Sequence, residues 1–268
     1  IAVVMAFGVV LVPEVSWAES EYKTKTGGYT YTEGGREYDI PLYDGDITEP
    51  IEGNDPKFDE DDIEKDPYHS YSDLDGKGRA RVCEGKLNYR FMPTPGTRGS
   101  ISSVKPTGWI QATYDIVSGK SLYNRAHLIG WQFTGYDLDR VSTDELRKNL
   151  ITGTRALNVG SGSGGMVGYE NTAASYIKAD EENNLLYRVT PVYDGDNLVA
   201  DGVIMEAKSV EDDGDSVEYC VFVYNVQPGI AIDYETGNSK LEVEPVQPVN
   251  LSNCTVNLSA SAFAYTGG

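Results

Sequence analysis

Apolar positions recur at strand and helix intervals from about residue 71 onward, and they show no sustained period before it. Arg79-Ala80-Arg81-Val82 and Lys86-Leu87-Asn88-Tyr89-Arg90 alternate as strands do, and Pro93, Pro95 and Gly96 mark a turn region after them. Trp109-Ile110-Gln111-Ala112-Thr113-Tyr114 reads as a further strand, leading through Ser118-Gly119 into a loop that carries His127. Ser142-Thr143-Asp144-Glu145 is a capping box, which predicts a helix through Leu146 and Leu150. A second helix is predicted from Tyr169 through Ile177. Three successive strands follow at 185–192, 199–208 and 217–226, the first two separated by the turn residues Asp194-Gly195-Asp196-Asn197. Runs of strands with inserted helices, without regular βα alternation, define an α+β fold.

The flanks read differently. Residues 1–13 are apolar and uncharged, and Ser16-Trp17-Ala18 offers a signal peptidase its small residues, so 1–18 is expected to be a secretory signal whose basic start lies before Ile1. The run is too short to predict a transmembrane span, although a retained N-terminal anchor is the alternative. Residues 19–70, rich in Gly, Tyr, Thr and acid, read as a solvated linker. After Pro245 and Pro248 the text turns to Ser, Asn and Thr, so 246–268 is expected to be a linker and the opening of a C-terminal surface-repeat module. This leaves 71–245 as one folded domain, a normal size for a single core.

A net charge of −20 argues against nucleic acid as a partner until its distribution is considered. Residues 19–75 carry 5 Lys+Arg against 18 Asp+Glu, and residues 149–268 carry 5 against 17. Residues 76–148 reverse the sign, with 12 against 6. Three cysteines cannot all pair within one chain. Cys83 and Cys220 lie in strand-like text and are expected to be buried thiols, whereas the pairing of Cys254 is open. No CxxC or Cys/His cluster is present to build a structural zinc site. The Gly160–Gly165 stretch lacks the Gly-Lys-Ser/Thr of a phosphate loop and reads as a flexible connection.

Only His69 and His127 can supply an imidazole. His69 stands at the edge of the acidic stretch and reads as a surface residue. His127 has company. Arg125 can bind phosphate oxygens through its planar fork or brace the loop. Downstream, Asn149, Asn158 and Glu170 offer hard oxygen ligands that suit Mg²⁺. On the residues alone, this constellation stands level with a plain alternative: a loop histidine, two helix-surface asparagines and a first-turn glutamate placed for the helix dipole.

Ser121-Leu122-Tyr123-Asn124-Arg125-Ala126-His127-Leu128-Ile129-Gly130 resembles the Asp-Arg-Gly-His signature of the DNA/RNA non-specific endonucleases, the ββα-metal (His-Me finger) nucleases, and in particular the secreted DNases of Gram-positive bacteria. Further blocks follow in the family's order: Arg98-Gly99-Ser100, Val104-Lys105-Pro106-Thr107-Gly108-Trp109, the run from Asn149 to Asn158, Gly165-Met166 with Tyr169-Glu170-Asn171, and the run from Leu186 to Val192. Asn124 and Ala126 depart from the family's Asp and Gly, but neither change removes a reacting group.

The resemblance implies a central antiparallel sheet flanked by helices and a metal held beneath the histidine. It implies His127 as general base, Asn158 as the direct Mg²⁺ ligand (with Mn²⁺ as a substitute ion), and Asn149 as a second amide holding the water shell or the base. It further implies Glu170 as acceptor for water around the ion, with Arg125 and Arg188 contacting phosphate or leaving group. The expected enzyme is a secreted or surface-attached bacterial endonuclease of DNA, with RNA left open as a second substrate, producing 5′-phosphate ends without base specificity. A non-catalytic surface or adhesion module, and a nuclease toxin acting inside a target cell, are the alternative readings.

Overall fold

The computed structural model describes residues 26–93, 99–138, 142–160 and 164–242. The expected signal segment 1–18, the tail 246–268 with Cys254, and Arg98 lie outside the described residues. In chain order the elements are β1 (Tyr29–Glu33), β2 (Arg36–Ile40), β3 (Thr48–Pro50), α1 (Glu60–Glu64), β4 (Tyr68–Tyr71), β5 (Cys83–Asn88), β6 (Tyr123–His127), α2 (Trp131–Leu138), α3 (Thr143–Lys148), β7 (Leu150–Thr154), α4 (Arg155–Val159), α5 (Met166–Ala179), β8 (Asn184–Val192), β9 (Gly202–Ser209), β10 (Glu218–Tyr224), β11 (Ile230–Ile232) and β12 (Ser239–Leu241).

Among the described residues, six strands form an antiparallel sheet in the order β3-β10-β9-β8-β5-β4. Side chains alternate across a strand, so each central strand serves two cores. Tyr187 and Val189 of β8, Met205 and Ala207 of β9, and Val221 and Val223 of β10 pack with α2, α4 and α5 residues such as Phe133, Leu157 and Ile177. On the opposite face, Val192, Ile204, Phe222 and Tyr224 pack against Tyr38, Ile40 and Ile51 from the N-terminal segment. With both faces covered, the central strands are buried nearly throughout, which explains their almost unbroken apolar text.

That second core corrects the linker expectation for the described part of 19–70. Tyr29, Tyr31 and Tyr38 alternate with polar residues on either side of Gly34-Gly35, both at positive φ, as a tight two-residue hairpin turn requires. β3 then extends the sheet along β10, and Asp59 caps α1 reciprocally with Asp62. Tyrosine supplies the burial here, so the segment lacks the aliphatic periodicity that announces a strand. His69 is likewise in strand β4, with its ring near Tyr71 and Phe91. Cys83 and Cys220 are free, buried thiols. No described helix is long and apolar enough to cross a membrane.

Two further expectations shift. Residues 109–114 contribute only a bridge, Thr113 to Ser121. In place of a strand, the carboxamide of Gln111 pairs with the backbone of Tyr123, donating to its carbonyl at 2.7 Å and accepting its N–H at 3.0 Å. The helix opened by Ser142 stops at Lys148, and Leu150–Thr154, with its β-branched residues, becomes strand β7.

Candidate active site

β6 and β7 form an antiparallel hairpin with His127 opposite Leu150 and Arg125 opposite Thr152. Thr154 ends the hairpin and caps α4, its hydroxyl accepting from the Leu157 N–H at 3.0 Å. The helix sits tightly on the strands because Gly153 has no side chain. A Cβ there would lie 2.7 Å from Ala126 Cβ and 2.8 Å from Leu157 Cδ2. Strand, strand and helix thus form one short unit that carries His127 at the end of β6 and Asn158 on α4.

His127, Asn158, Glu170 and Arg125 line one cleft of about 290 Å³, together with Gly130, Trp131, Gln132 and Val167. Sequence reasoning gave these last four no role, although Gly130 ends the signature run and Trp131-Gln132 directly follow it. His127 and Glu170 are each 8% exposed. Glu170 is the fifth residue of α5, which begins at Met166, so a first-turn placement for the helix dipole does not apply. Its carboxylate packs on Gly130, where an added Cβ would meet Glu170 Cδ and Oε2 at 2.8 Å.

The two asparagines separate cleanly. Asn149 is fully buried, and its amide brackets Ile129, accepting the backbone N–H at 2.8 Å and donating to the carbonyl at 2.9 Å. It braces the chain two residues beyond His127 and does not line the cleft. Asn158 faces the cleft, and its amide makes no hydrogen bond among the described residues. An uncommitted amide oxygen beside a carboxylate is a hard donor set that fits Mg²⁺, an ion that keeps much of its water.

Arg125 is held in place by neutral partners. It donates from Nε to the Val104 carbonyl and from Nη2 to the Ser102 carbonyl at 2.6 Å, and its guanidinium lies 4.2 Å from the Trp109 ring centroid. Burial lowers its pKa, but an arginine remains charged.

Arg188 is the site residue that the structure removes. It is 2% exposed and lies among Glu84, Glu206 and Asp62, at 3.0, 3.1 and 3.5 Å, with its guanidinium over Phe58. Its neighbours Tyr187 and Val189 face the α5 side of the sheet, so alternation turns Arg188 to the N-terminal face, away from the cleft. The same parity was readable in the strand.

A ββα unit presenting a histidine and a metal-competent asparagine, appended to an antiparallel sheet, defines the ββα-metal class of nuclease folds. The family of DNA/RNA non-specific endonucleases matches residues 60–211, and the chain belongs to that family. A deoxyribonuclease of Streptococcus dysgalactiae subsp. equisimilis is 30% identical over 156 residues, covering 58% of this chain and 45% of the relative, so the chain spans less than half of that relative's length. NucA from Streptococcus agalactiae, solved with a magnesium ion bound, shares the fold at a TM-score of 0.61 and 23% identity, over 72% of this chain and 86% of that one. The Sda1 nuclease, solved with a bound zinc ion, gives a TM-score of 0.60 at 24% identity, over 74% and 97%.

Proposed function

We propose that this protein is a secreted, Mg²⁺-dependent endonuclease that hydrolyses DNA without base specificity. The observation that carries the reading is the convergence of His127, Arg125, Glu170 and the uncommitted Asn158 amide on one cleft. In this reading Asn158 would hold the metal, and Glu170 would accept hydrogen bonds from water around it. The ion, when bound, would supply Lewis-acid stabilisation of charge on the scissile phosphate and the departing 3′ oxygen. An imidazole nitrogen of His127 takes the proton from the attacking water as general base. Arg125, fixed by the Ser102 and Val104 carbonyls, presents a preset positive charge to the phosphate, so little reorganisation accompanies reaction. Asn149 holds the backbone after His127 and thereby orients the base.

The test is incubation with supercoiled plasmid and with single-stranded RNA in MgCl₂, with and without EDTA, followed by end analysis. Degradation that EDTA abolishes and Mg²⁺ restores, leaving 5′-phosphate ends, is expected. Undiminished degradation in EDTA would overturn the metal assignment, and no degradation in Mg²⁺ would overturn the nuclease reading.

A further inference from the structure

In this acidic chain many basic side chains are already committed to acids. Lys57, Lys65, Arg79, Arg81, Lys148 and Arg188 each lie within ion-pair distance of a carboxylate. Among the described residues, three cations around the ββα unit have no such partner. Lys105, Arg125 and Arg155 have no carboxylate within ion-pair distance among the described residues.

Their placement is tied together by contacts. Lys105 is exposed on a segment anchored to the hairpin on both sides: the Val104 carbonyl accepts from Arg125, and the Thr107 carbonyl accepts from the Thr152 hydroxyl at 2.8 Å. Arg125 and Thr152 are themselves partners across β6 and β7. Arg155 opens α4 one turn before Asn158, so the two share a helix face. From there it reaches back to β6, its Nη1 lying 3.5 Å from Asn124 Oδ1. Asn124 matters because it is neutral. An aspartate at that distance would pair with Arg155 and cancel its charge, whereas the amide oxygen accepts a hydrogen bond and leaves the charge in place.

We infer that Lys105 and Arg155, together with Arg125, form a phosphate-binding track that holds the nucleic-acid backbone beside the His127 cleft by charge alone. The inference rests on the nuclease reading and extends it to residues outside the cleft. Contacts of this kind position a strand without reading bases, and each neutralised phosphate steepens the salt dependence of binding. Lys178 serves as a comparison: it is exposed on the same helix as Glu170 but eight residues further on, roughly 12 Å along the axis.

The experiment measures binding of a fluorescent DNA duplex by anisotropy, in MgCl₂ and at a series of KCl concentrations, in a His127→Ala background that prevents cleavage. Lys105→Gln and Arg155→Gln are each expected to weaken binding equally for unrelated sequences and to flatten the plot of log K against log salt by about one unit. Asn124→Asp should flatten it as Arg155→Gln does, and Arg155→Lys should restore it. Lys178→Gln should leave it unchanged. Circular dichroism of every variant guards against misfolding. If Lys105→Gln and Arg155→Gln keep the slope of Lys178→Gln while the native protein still cleaves DNA, the track is wrong and the nuclease reading stands. If the native protein neither binds nor cleaves, both fail.

Discussion

Asn149 brackets the backbone of Ile129 through both ends of its amide, at 2.8 and 2.9 Å, and so fixes the path of the chain just beyond His127. Both backbone groups are buried and have no water to turn to. Asn149→Ala should therefore cost about 2–3 kcal/mol of stability, the scale of leaving buried polar groups unsatisfied. Cleavage should fall, while the Mg²⁺ concentration for half-maximal rate should change little, because the amide does not line the cleft. A large rise in that concentration, with stability intact, would return Asn149 to the metal's surroundings.

Gly130→Ala should separate function from stability in the opposite sense. The new Cβ meets the Glu170 carboxylate, the far end of a flexible side chain, so the fold should absorb it with a small change in melting temperature. The carboxylate must move, and misplacement by an ångström in such a site costs up to about 100-fold in rate. A variant with native rate would show that Glu170's position does not matter.

Arg188→Ala should unfold the protein before it affects chemistry. Glu206 is fully buried and accepts from Arg188, Tyr38 and the Lys57 N–H, so removing the guanidinium leaves a buried carboxylate short of its cation. The expected loss is about 3–5 kcal/mol by urea denaturation, with rate per folded molecule retained. A stable but inactive variant would contradict the assignment of Arg188 to the structural network.

Acid stability follows from Asp62, Asp75 and Glu211. Burial pushes each carboxyl up, but donors outweigh it: Lys65 and the Asp59 N–H at Asp62, the Arg79 and Lys77 groups at Asp75, and Asn184 with Tyr176 at Glu211. Their folded pKa values lie below the unfolded ones, near 4. Their contribution is thus complete above that value and disappears as pH falls through the folded values. Urea midpoints should be level from pH 7 to about 5 and drop below about pH 4. A midpoint that rises on acidification would contradict this.

The sequence disclosed the three long strands, the capping box and the α5 helix because their periods are long or their caps explicit. It also disclosed which residues converge, since His127, Asn158 and Glu170 stand in family order and do line one cleft. What it concealed has physical causes. Asn149 and Asn158 look alike as text, and only the hydrogen bonds to Ile129 distinguish a brace from an open ligand. Arg188 belonged to a matching block, but strand parity turns it to the wrong face. The N-terminal hairpin hid because tyrosines alternating with threonines and acids resemble a solvated tail until a sheet face is available to bury them.

The central claim, that His127 is the base of a metal-dependent nuclease, is tested most directly by initial rates of plasmid cleavage in MgCl₂ for the native protein and for His127→Ala, both confirmed folded. The native protein should cleave, and the variant should be slower by about 10²–10⁴-fold, the range of a positioned general base. Equal rates, or no cleavage by the native protein, would contradict it.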